Sequence, residues 1–134
     1  MSEDNEAERL NFLSNRVIGA ALRVLNELGP GMLEPAYEAC LLYELLNQGF
    51  LVERQKPVPV IYLANRLDCG YRIDLLVESA LIVEVKAIER LEKLHSAQVR
   101  SHLRFSNLKL GLLINFNVPS LRDGIKRIVN GFPE

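Results

Sequence analysis

Cysteine is scarce in this chain. Among 134 residues only Cys40 and Cys69 carry thiols, they form no motif, and disulfide-stapled secreted folds are thereby excluded. Both are expected as small apolar core residues. Long apolar runs are missing as well: the longest stretch without a charged side chain, residues 110–121, contains Asn115 and Asn117 and is too short and too polar to span a bilayer. The N-terminal MSEDNEAER is acidic and has no apolar segment, so no signal or transit peptide is expected there. Internal repeats and low-complexity tracts are also absent. What remains is a cytoplasmic protein without a membrane partner. Its 1–12 segment reads as an acidic, disordered start, and 13–134 as a single domain that buries roughly two-thirds of its unfolded surface.

Charge of one sign is not in excess overall, since 16 basic and 17 acidic residues leave a net of −1. The distribution is uneven. Residues 1–85 sum to −6 and residues 86–134 to +5, so the second half could meet a polyanion, although so modest an excess is more often just a solvated face.

Apolar spacing from about Asn15 predicts a helix that ends at Gly29-Pro30-Gly31. A second helix is expected from Glu34-Pro35 to about Gln48. Strands follow over 50–56 and 58–63, broken by Pro57, with a turn at Asn65-Arg66-Leu67-Asp68 and further strands over 70–77 and 81–87. A helix over about 88–105, an apolar strand over 108–116 and a short basic helix over 121–130 complete the chain. The strand–helix–strand crossover from 81 to 116 makes its two strands parallel, so the fold class is α/β (α+β) with a mixed sheet.

Chemistry concentrates between Arg72 and Lys86. In both strands of that segment each face carries apolar residues, so both strands look central. Alternation puts Ile73, Leu75 and Val77 on one face, with Arg72, Asp74 and Leu76 on the other. A three-residue connection at Glu78-Ser79-Ala80 pairs Val77 with Leu81 and brings Asp74 opposite Glu84, whereas a two-residue loop sends them to opposite faces. Like charges so opposed repel unless they share a proton or a cation. A hard, oxygen-seeking cation such as Mg²⁺ resolves the conflict, with the Lys86 ammonium beside it to stabilise phosphoryl charge or position water. Two salt bridges, Asp74 with Lys86 and Glu84 with Arg72, explain the same residues as structural. His95, Gln98 and His102 share one face of the following helix; for the two histidines, ordinary hydrogen-bonded packing is the simpler reading. Glu34, at a helix start, is explained by the helix dipole alone.

Asp74, then Glu84-Val85-Lys86, then Gln98 on the next helix together resemble the PD-(D/E)XK nuclease superfamily. The segment Gly31-Met32-Leu33-Glu34-Pro35-Ala36-Tyr37 is similar to the signature of its GxxExxY branch, and the similarity runs from about Val17 to Val129. That resemblance implies a restriction-endonuclease-like αβββαβ core and Mg²⁺- or Mn²⁺-dependent hydrolysis of phosphodiesters, most readily in DNA. It also implies metal binding by Asp74, Glu84 and the Val85 backbone carbonyl. Lys86 would assist the attacking water, Glu34 would complete the acidic cluster and Gln98 would orient the site. Two positions depart from the pattern: Ile73 replaces a proline, and His102 replaces a tyrosine. Arg100, Arg104, Lys126 and Arg127 are the candidate phosphate contacts. The alternative function is a catalytically silent module that grips nucleic acid or a protein partner. A homodimer, which would widen the footprint on a duplex, suits either function.

Overall fold

In the computed structural model, which describes residues 3–133, the chain opens with a long helix, α1 (Glu3–Leu28). From Glu3 onward helix therefore replaces the irregular start and the beginning near Asn15 read from the sequence, while positions 1–2 of that start lie outside the described residues. Leu10 and Leu13 are buried in the main core with Val17, Ala21 and Val24, and this packing holds a helical stretch that local composition leaves undecided. After the break at Gly29-Pro30-Gly31 comes α2 (Glu34–Asn47), with proline in its first turn.

The strands are β1 (Val52–Pro57), β2 (Val60–Tyr62), β3 (Asn65–Leu67), β4 (Arg72–Val77) and β5 (Leu81–Lys86); α3 (Lys93–Ser106), β6 (Leu110–Asn115) and β7 (Ile125–Val129) follow. Five of them form one mixed sheet in the order β1-β4-β5-β6-β7, with β1 and β7 at its edges. Only the β5–β6 pair is parallel, as the crossover through α3 demands. The remaining strands, β2 and β3, pair as a separate hairpin.

Two apolar layers sandwich the sheet. On one face Leu75, Val77, Val83, Val85, Leu112 and Ile114 pack against α1 and α2. On the other, Leu76, Ile82 and Leu113 pack against Val99 and Leu103 of α3. Gly111 admits the helix closely, since a Cβ there would come within 2.8 Å of Val99 Cγ1.

Several expectations from the sequence are corrected. The segment 121–130 is a 3₁₀ turn (Leu121–Gly124) and strand β7 rather than a helix, because β7 completes the pairing of β6. The turn placed at Asn65–Asp68 lies instead at Leu63-Ala64, both at positive φ, and Asn65–Leu67 is strand. Helix α3 starts at Lys93 rather than Ile88 because the Asn115 amide binds both the N–H and the C=O of Ile88 and holds that stretch out of the helix. Ile73 packs in the α3-side layer with Leu76 and not with Leu75 and Val77, since regular pairing lapses beside it. Cys69 is exposed and Cys40 half-buried, both free. No helix among the described residues is long and apolar enough to cross a membrane.

Candidate functional site

The β4–β5 connection places Glu78 and Ser79 at φ near +54°. Glu78 is held there because its N–H donates to the Leu51 carbonyl and its carboxylate accepts from the Leu51 N–H. This turn pairs Val77 with Leu81, Leu76 with Ile82 and Leu75 with Val83, which is the register that puts Asp74 level with Glu84. The ladder stops there. On its other side β4 pairs with β1 at Arg54↔Leu75 and again at Lys56↔Ile73, skipping Gln55 and Asp74. Asp74 thus sits where β4 loses both neighbours at once.

Side chains replace the missing ladder. The Asp74 Oδ2 accepts from the Val85 N–H at 2.8 Å, and its Oδ1 accepts from the Gln55 Nε2 at 3.3 Å. Gln55 adopts φ of +51°, an uncommon conformation for a residue with a Cβ and one that recurs at functional sites. Its amide also donates to Glu38 Oε1 at 2.8 Å, while Arg54 meets Glu38 Oε2 at 3.1 Å. Glu38 was not singled out from the sequence. Its position one helical turn after Glu34 on α2 was the available signal.

Glu84 is only 6 % exposed. Its carboxyl is pushed up to about 7, first by burial; the hydrogen bond from His102 lowers it, and the nearby Asp74 charge raises it again. The His102 Nδ1 stands 3.1 Å from Glu84 Oε1. Of the two histidines on α3, His102 is therefore at the acid pair, while His95 is occupied in the capping box at the helix start with Glu92.

Lys86 lies two residues beyond Glu84 at the end of β5 and is partly exposed. It makes no ion pair with any described residue, and neither salt bridge of the structural alternative, Asp74–Lys86 or Glu84–Arg72, forms among them. Its strand end is fixed through the backbone: the Lys86 carbonyl accepts from the Phe116 N–H, and Asn115 pairs with Lys86 in the ladder. Asn115, 2 % exposed, is a further residue whose importance the sequence did not reveal.

Glu34 begins α2 and lines a cavity of about 330 Å³ with Glu38, Gln55, Asp74 and Val85. The preceding loop is pinned by the buried Tyr37, whose hydroxyl donates to the Gly29 carbonyl at 2.6 Å and accepts from the Met32 N–H at 3.1 Å. Its ring stacks on Phe116 at 4.7 Å. Gln98 lies apart from this cavity; it lines another, of about 390 Å³, together with His102. The acid pair thus lies between two cavities.

The four candidate phosphate contacts divide. Arg100 and Arg104 are exposed on α3, and Lys126 stands opposite Leu113 on the same side of the sheet. Arg127 pairs with Leu112 and turns toward α1, where it bonds Asn11 at 2.9 Å and covers the Phe132 ring.

A match to the family model described as the PD-(D/E)XK nuclease superfamily covers residues 11–128. The chain belongs to the PD-(D/E)XK nuclease superfamily. Neither the curated proteins nor the solved structures compared with it contain a match. Members of this superfamily generally use Mg²⁺ or Mn²⁺. The donors present fit such an ion: two carboxylates on adjacent strands supply hard oxygen, and burial together with the facing Asp74 charge holds the Glu84 carboxyl above its usual range. Among the described residues no cluster of three or more Asp, Glu, His or Cys could hold a metal, so a cation here would depend on two carboxylates, waters and a substrate phosphate, as Mg²⁺ commonly does.

Proposed function

We propose that this PD-(D/E)XK protein is a metal-dependent nuclease that hydrolyses phosphodiester bonds, in DNA first of all, and that it falls in the GxxExxY branch. The observation that carries this reading is the placement of Asp74 level with the buried Glu84, with the Lys86 ammonium left without an ion-pair partner among the described residues. Tyr37 supports the branch assignment, since the last residue of the Gly31–Tyr37 signature anchors the loop that precedes Glu34.

Asp74, Glu84 and the Val85 carbonyl would hold Mg²⁺ or Mn²⁺. The ion, when bound, supplies Lewis-acid neutralisation of charge on the phosphate. Lys86 places its ammonium where the non-bridging oxygens gain charge, and it orients the attacking water. Gln55 and the Val85 N–H fix the Asp74 carboxylate, so little reorganisation is needed when substrate arrives. Glu34 adds negative charge to the first cavity from the start of α2, and Gln98 orients substrate from the second. Arg100, Arg104 and Lys126 make phosphate contacts on the α3 side; Arg127 contributes from the α1 side.

The test is cleavage of labelled single- and double-stranded DNA with Mg²⁺ or Mn²⁺, comparing wild type with Asp74→Asn and Lys86→Ala. Metal-dependent cutting by the wild type alone is the expected result. Equal traces for all three proteins overturn the reading.

The contact between His102 and Glu84 favours a second reading, a silent nucleic-acid-binding module, because it engages an oxygen the metal would use. Salt-sensitive DNA binding that weakens on neutralising Arg100, Arg104 and Lys126, without any cutting, would mark that case.

A further inference from the structure

The cavity of about 390 Å³ on the α3 side lies within the size range of small-ligand pockets. Its wall is apolar and aromatic at Leu94 and Phe105, and polar at Gln98, His102 and Arg104. At its mouth Tyr71, 51 % exposed, presents its ring 6.0 Å from the His102 imidazole at a tilted angle. The Arg104 guanidinium lies over the Phe105 ring. The Gln98 side chain makes no hydrogen bond to another described residue, so its amide keeps donors and an acceptor for a planar polar edge.

Stacking rings, a cationic plane and a free amide form the donor set that recognises a nucleobase. The cavity's position narrows the choice further. His102 both lines the cavity and stands 3.1 Å from Glu84, so a phosphate at the acid pair and a base in the cavity can belong to the same nucleotide. A base inside a duplex enters a side cavity only after unstacking and unpairing, at a cost of about a few kcal/mol that an unpaired base does not bear.

We infer that the cavity bounded by Tyr71, Gln98, His102 and Arg104 is a subsite for an unpaired nucleobase, which makes single-stranded or locally opened nucleic acid the substrate of the neighbouring centre. The inference rests on the nuclease reading for its biological use, but the binding itself does not require catalysis.

The experiment is fluorescence anisotropy in EDTA with a labelled 12-nucleotide single strand and with a strand of equal length whose central positions are abasic. Wild type should bind the intact strand about tenfold more tightly than the abasic one. Tyr71→Ala, at an exposed position, and Ala97→Trp, which fills the cavity from the exposed side of α3, should each erase that preference. Arg23→Ala, on α1 and outside the cavity, should keep it. Equal affinity of wild type for both strands, or a preference that survives both cavity variants, overturns the subsite. Repeating the measurement as cleavage in Mg²⁺ separates the two readings. Base-dependent binding without cutting leaves the subsite standing and the nuclease reading fallen. Cutting of abasic and intact strands at one rate, unchanged in Tyr71→Ala, does the reverse.

Discussion

The Asp74 carboxylate accepts the Val85 backbone N–H at 2.8 Å, bridging two strands at the point where their ladder has stopped. One side chain thereby does two jobs: it satisfies a backbone donor that the sheet has released, and it aims a negative charge at Glu84.

Asp74→Asn separates those jobs. The amide oxygen can still accept from Val85, so folding survives, and loss of the facing charge lets Glu84 ionise more readily. Thermal stability at pH 8 should hold or rise, while metal-dependent cleavage falls by about a hundredfold or more, as loss of a several-kcal/mol metal contact predicts. Melting curves and cleavage rates on one preparation check both halves.

Glu84 should make stability depend on pH. Its carboxyl moves from an ordinary 4.5 to about 7, so between those values the folded protein binds the proton more tightly than the unfolded chain. Its contribution is complete below pH 4.5 and is lost as pH rises through 7. At about 1.4 kcal/mol per pH unit, the loss is about 3 kcal/mol. Urea titrations at pH 4.5 and 8 should show this trend in wild type and a flatter one in Glu84→Gln. Added Mg²⁺ should stabilise wild type more at pH 8 than at pH 5.

His102→Phe should move the acid limb of the activity profile to higher pH. The hydrogen bond from His102 lowers the Glu84 carboxyl; without it, more of the Glu84 population is protonated at neutrality. A pH–rate profile read beside that of wild type tests this, and an unmoved limb would count against a role for Glu84 in its ionised form.

Tyr37→Phe removes a hydroxyl with partners on both sides of the glycine loop while keeping the stack on Phe116. The expected cost is about 1–3 kcal/mol, because the Met32 N–H and Gly29 carbonyl lose a part-buried partner. Denaturant midpoints measure it. Cleavage at saturating substrate should fall by a smaller factor, through the looser start of α2 at Glu34.

Gly111→Ala should push α3 off the sheet. Val99 stands where the new methyl must go, and overpacking of this kind costs about 1–3 kcal/mol. Val99 precedes His102 by less than one helical turn, so the variant should also weaken the contact with Glu84 and lower activity more than stability alone accounts for.

Much of this arrangement was legible in the residues. Apolar side chains on both faces of β4 and β5 identified central strands; the residues left two loop lengths open at Glu78–Ala80, and the pairing of Val77 with Leu81 selects the one that brings Asp74 level with Glu84. The β5–α3–β6 crossover dictated a parallel pair. Other features were not legible, for physical reasons. Ile125, Ile128 and Val129 fit a helical stripe as well as a short strand, and only the open side of β6 decides between them. Leu63 and Ala64 carry none of the chemistry that usually marks positive φ, so the β2–β3 turn had no local signal. Gln55, Glu38 and Asn115 matter through bonds to residues distant in the chain, which neither spacing nor propensity encodes. His102 lay on the correct helix face, but its bond to Glu84 depends on how closely α3 rides over Gly111.

At the rims of the sheet, β1 ends on Pro57, which has no N–H to offer, and bends at Gln55, while β7 carries exposed Lys126 and Arg127. A sixth strand from another molecule would find a missing donor at one border and electrostatic repulsion at the other. Fibrillar stacking through the β-layer is therefore discouraged at both borders.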